Sequence, residues 1–172
     1  MIPLSDDNPT YSRPYVTLII LFICLFIFLI QVSLHEANDT NFIYALGFIP
    51  AVTFGHADLP SELVWIPSSL TIFSSMFLHG GFFHLAGNML YLWIFADNVE
   101  DRMGHKNFFI FYFLCGFVAA MTQALPETGS TIPMIGIFSF LASRTANLSL
   151  ITSIITIKSG FPFKSLIPPK FK

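Results

Sequence analysis

Three apolar runs, separated by polar stretches of unequal length, organise the chain. The first, residues 15–34, is interrupted only by Thr17, Gln31 and Ser33. As a helix it reaches about 30 Å, the thickness of a hydrocarbon core, and so predicts a membrane span. The second, residues 82–96, stops at Asp97 and covers only about 22 Å. Such a short span implies either a locally thinned bilayer or a helix that starts below the surface, its preceding loop buried against protein. The third, residues 107–125, ends at Pro126 and holds Gly116 and Ala120 one turn apart, a spacing that lets another backbone approach closely.

The connections differ in character. Residues 1–14 form a polar, proline-marked leader. Residues 35–78 hold Glu36, Asp39, Asp58, Glu62 and three prolines but no Lys or Arg, with Phe54 and Trp65 suited to a lipid interface. A connection of this length is expected to have structure of its own or a function. Beyond Gly136 the apolar character is diluted by Ser139, Ser143, Arg144, Asn147 and further polar residues. An Arg near a span centre costs about 2.5–3.5 kcal/mol, so a fourth span is marginal. Residues 158–172 read as a basic, disordered end. The expected fold is an all-α membrane protein with three transmembrane helices and that marginal fourth.

Composition agrees. Of 172 residues 54% are hydrophobic and 10% charged, against about 25% charge in soluble domains. The partner this implies is the lipid bilayer; no basic patch suggests nucleic acid. Cys24 and Cys115 lie inside apolar runs, where cysteine behaves as a small hydrophobe. Asp6 and Asp7 replace the basic region of a cleavable signal, so the first span reads as an uncleaved anchor. With alternating spans, Arg13, Arg102, Lys106, Lys158, Lys164, Lys170 and Lys172, seven of eight basic residues, fall on one side. The positive-inside rule puts that side, and the N-terminus, in the cytoplasm, with a bacterial inner membrane as the expected home.

The chemistry sits at the mouth of the second run: His79, His84 and Asn88. Burying such groups without partners costs several kcal/mol, which makes them a candidate site. His84 and Asn88, four apart, are separated by about 40° and share a helix face. Gly80-Gly81 interrupts the helix and lets His79 fold back over its start. Imidazole N–H and amide NH₂ groups converging there would suit a developing oxyanion. The competing readings are an interfacial histidine and a zinc site. No carboxylate or thiolate lies on that face, so no metal and no cofactor is expected.

The pattern His79-x4-His84-x3-Asn88 with Gly80-Gly81 between, followed by Glu100-x-Arg102-x-Gly104 and by Ile132-Pro133-Met134-Ile135-Gly136, resembles the rhomboid intramembrane serine proteases. The resemblance covers roughly residues 15–136. It implies a rhomboid-like bundle that cleaves transmembrane or membrane-proximal segments of membrane-protein substrates. It also implies that His79, His84 and Asn88 stabilise the oxyanion or retain water, and that Glu100 and Arg102 form a structural pair near Gly104. The family needs a serine in Gly-x-Ser-Gly and a later histidine. Here Phe138 stands in the serine's place, Ser139 is one residue late, and no histidine follows His105. Residues 1–136 thus read as an incomplete rhomboid-like membrane region, and 137–172 as a divergent or frame-shifted segment. The expected outcome is a chain that is inactive alone, or one that binds transmembrane helices of client proteins without cutting them.

Overall fold

The computed structural model describes residues 12–34 and 36–136. The expected fourth span and the divergent segment lie outside the described residues. The described chain is helical, and its one strand-like feature is an isolated antiparallel bridge between Phe48 and Met134. In order it forms α1 (Tyr15–Ser33), α2 (Glu36–Leu46), α3 (Pro50–Thr53), α4 (Thr71–Ser74), α5 (Phe82–Met103) and α6 (His105–Ala124), with short 3₁₀ turns at Ser61–Leu63, Ser75–Phe77 and Leu125–Glu127.

Two stretches, Tyr15–Ser33 and His105–Glu127, are long and apolar enough to cross a membrane. Their exteriors are oily: Leu18, Ile19, Phe22, Phe26, Leu29, Phe109, Ile110, Leu114 and Val118 are all exposed. A helix apolar on its outer face as well as its inner one belongs in lipid rather than water. The inner stripe of α1 is Thr17, Ile20, Cys24 and Gln31, a heptad-like spacing that meets Met76, Leu85, Leu92, Ala96, Phe108 and Tyr112 in the main core.

α5 differs from its expected extent. Asp97 ends the apolar stretch but not the helix, which continues to Met103 and stops at Gly104, whose φ of 78° favours glycine. A charged residue ends a hydrocarbon span without costing helical hydrogen bonds, so the two boundaries need not coincide. The extra turns carry Glu100 under the start of α1.

The long connection folds inward. α4 and the turn after it wedge against α6, with Ser75, Met76 and Leu78 buried. Gly116 is what admits this wedge, because a Cβ there would collide with Met76 Sδ and Cε. Ala119, Ala120 and Ala124 continue the small surface against Phe48 and Ile72. The small-xxx-small spacing therefore receives the loop rather than a neighbouring long helix. Ser74 Oγ donates to the Leu46 carbonyl (2.6 Å), tying the wedge to the end of α2.

Candidate functional site

Helix α5 begins only after Gly81, whose φ of 155° lies outside the range comfortable for other residues. His84 is in the first turn, and Gly80 N–H donates to its Nδ1 (3.4 Å). That acceptor role assigns the ring hydrogen to Nε2, which donates to the Gly136 carbonyl (3.2 Å). His79 has the opposite tautomer, with Nδ1–H donating to the Phe77 carbonyl (3.1 Å). In the neutral ring its Nε2 is then an acceptor. The two rings meet edge to face with centroids 5.5 Å apart. His79 is only 2% exposed. Burial, and secondarily the neighbouring His84, push its pKa down to about 4 against the opposing pull of the Phe77 carbonyl. The ring is therefore neutral at physiological pH.

Asn88 lies one turn further along α5 on the buried stripe with Leu85, Leu92 and Ala96. It faces the protein interior, 6% exposed. The structure thus brings His79 and His84 into contact and sets Asn88 on the same inward side of the helix. The sequence-based grouping treated all three as equivalent donors. Here both imidazole hydrogens are engaged with carbonyls.

The segment leading to Gly136 is pinned along its length. Ala51 N–H donates to the Ser130 carbonyl, Phe48 and Met134 exchange both main-chain bonds, and Gly136 N–H donates to the Ser75 carbonyl (2.9 Å). Gly136 has φ +59° and would place a Cβ within 2.6 Å of His84 Nε2, so only glycine fits against that ring.

At the opposite end of α5, Glu100 is fully buried. Its Oε1 accepts from Val16 N–H (2.9 Å) and His105 Nδ1 (2.6 Å), and its Oε2 from Thr17 N–H (2.8 Å) and Thr17 Oγ1 (2.7 Å). Glu100 caps α1, satisfying N–H groups that no intrahelical carbonyl can reach. Arg102 is exposed, and among the described residues the side chain that reaches the Glu100 carboxylate from the α5–α6 junction is His105 rather than Arg102. Gly104 ends the helix.

Sequence reasoning missed Thr17 and Gln31, which looked like interruptions of an apolar run. Both lie on the buried stripe of α1 at heptad spacing, and that periodicity was the available signal. Gln31 Oε1 accepts from His79 N–H (3.1 Å) and its Nε2 donates to the His79 carbonyl (3.2 Å). Among the described residues no group of three or more His, Cys, Asp or Glu side chains is placed to hold a metal ion.

Residues 67–158, more than half of the chain, match the Rhomboid domain family. The chain belongs to the rhomboid family. A distant relative is Rhomboid protein 1, mitochondrial, of Saccharomyces cerevisiae, 27% identical over 131 residues that cover 62% of this chain and 38% of that protein. The chain thus spans about two fifths of that relative's length. No solved structure matches it. Family and apolar helices together make this an integral membrane protein.

Proposed function

We propose that this chain is a rhomboid-type receptor for transmembrane or membrane-proximal segments of other membrane proteins, built on the site of a serine endopeptidase. The observation that carries the reading is the Asn88 side chain, 6% exposed on the inward stripe of α5, one turn from His84 in a mutually packed histidine pair. In a peptidase such a donor holds the oxyanion of a tetrahedral intermediate. Offered to an uncleaved segment, the same amide binds a main-chain carbonyl. Phe138 in the serine's place removes the nucleophile that would convert binding into cleavage.

In this reading α1, the apolar part of α5 and α6 are three spans. Glu100 and Asp101 gather the start of α1 to the end of α5, so Arg13, Arg102 and Lys106 cluster at one end, which faces the cytoplasm. His79 and Asn88 then open toward the exterior.

A fluorophosphonate serine probe applied to the full chain in membranes tests the reading; no labelling is expected, and labelling at Ser139 overturns it. A frame change after Gly136 is our proposal for residues 137–172. It fails if neither alternative frame of the DNA encodes a Gly-x-Ser-Gly helix and a later histidine helix.

A further inference from the structure

The main-chain N–H and C=O of His79 precede the first turn of α5, so no helical ladder satisfies them. At the depth of a membrane site, each such group left unpaired costs several kcal/mol. Both are satisfied by one side chain from 48 residues earlier: Gln31, in the last turn of α1, offers its amide as a neighbouring strand would, oxygen to N–H and nitrogen to carbonyl. Gln31 is itself buried, 4% exposed.

We propose that Gln31 is a positioning residue for His79, so that the end of α1 is coupled to the histidine pair through one side chain. This rests on the reading of His79 as part of the functional cluster. The His79 ring has one short-range anchor, the Phe77 carbonyl two residues away. Where the ring lies relative to His84 is therefore set by where the His79 backbone is held, and Gln31 holds it. Without the amide, the segment must turn its N–H and carbonyl toward water, carrying the imidazole with it.

The test uses the full chain, ¹⁵N-labelled at histidine, in lipid nanodiscs, with His79 assigned by its loss in His79→Asn. Wild-type His79 is expected to show a neutral Nδ1–H tautomer. In Gln31→Leu it should become a mixture of tautomers, with carbethoxylation at Nε2 faster by about tenfold, the effect expected of losing two buried hydrogen bonds. The His105 signal, at the far end of α1 and α5, should not change. Gln31→Glu, which keeps an acceptor for His79 N–H but turns a second acceptor toward the His79 carbonyl, should move toward Gln31→Leu. If Gln31→Leu does not fold, Gln31→Glu still decides. An unchanged His79 tautomer and reactivity in Gln31→Leu, or in Gln31→Glu, overturns the proposal. Movement of His105 in step with His79 also overturns it, since the effect would then be general loosening. Because neither readout involves a client segment, failure of the binding function leaves this outcome unaffected.

Discussion

Glu100→Gln keeps the shape of the side chain and removes its charge, at a carboxylate whose two oxygens each accept two hydrogen bonds. An amide nitrogen accepts nothing. The least costly orientation puts NH₂ at the Oε2 position, where the Thr17 hydroxyl rotates to accept but Thr17 N–H faces another donor. One buried N–H left unpaired costs about 1–3 kcal/mol. The bonds from Val16 and His105 fall from charged to neutral strength, about 1 kcal/mol each. Loss of the negative charge at the α1 N-terminus adds about 0.3–1 kcal/mol. The total, about 3–6 kcal/mol, is a large part of the about 5–15 kcal/mol that holds a typical domain together.

Unfolding in mixed micelles, followed by the fluorescence of Trp93, measures this directly. The carboxyl adds a second signature. Burial raises its pKa, but the hydrogen bonds from Thr17, Val16 and His105 outweigh that and hold it below the ordinary value of 4.5. A depressed carboxyl contributes stability that is present above its unfolded value and is lost as pH falls through its folded one. The wild-type protein should therefore weaken below about pH 4.5, and Glu100→Gln should lack that step. A variant within about 1 kcal/mol of wild type, or one with the same acid profile, refutes the role given to Glu100.

Three further outcomes follow from the geometry. His79, neutral when folded with a pKa near 4 against an ordinary 6.5, should lower stability by about 1.4 kcal/mol per pH unit as pH falls between those values; a His79→Asn variant with an equally steep fall in unfolding titrations contradicts this. Gly116→Ala forces Met76 out of its place and should cost about 1–3 kcal/mol by overpacking, but clearly less in a Met76→Ala background, so additive costs in a double-mutant cycle would refute the wedge. Gly136→Ala combines a positive φ with a Cβ against the His84 ring; it should abolish the His84 Nε2–H tautomer in a histidine ¹⁵N spectrum, and an unchanged His84 signal counts against the clamp.

The long helices were legible because length and apolarity decide them almost alone: α1 and α6 fall within two residues of the runs that predicted them. The end of α5 was not, because a charged residue reads as the edge of a membrane span whether or not the helix continues. The inward fold of residues 35–78 was hidden for a different reason. Its elements are three to eleven residues long, too short for a repeating hydrophobic pattern, and single apolar residues such as Phe48, Ile72 and Met76 anchor them together with hydrogen bonds from Ser74 and across the Phe48–Met134 pair. At the site, the spacing of His79, His84 and Asn88 located the cluster. It did not show which hydrogens are spoken for, since Gly136 and Phe77 accept through main-chain carbonyls, which have no sequence signature. The resemblance offered Arg102 as the partner of Glu100, and only the fold reveals that α1 starts on top of it.

The central claim is that the Asn88 amide receives a main-chain carbonyl from a client segment which this chain then leaves intact. The direct measurement is the affinity of a single-pass transmembrane peptide for the full chain in lipid vesicles, wild type against Asn88→Leu, with the peptide's mass determined afterwards. The account predicts binding weakened about tenfold by the substitution and a peptide of unchanged mass. Equal binding by the two proteins, or a cleaved peptide with wild type, contradicts it.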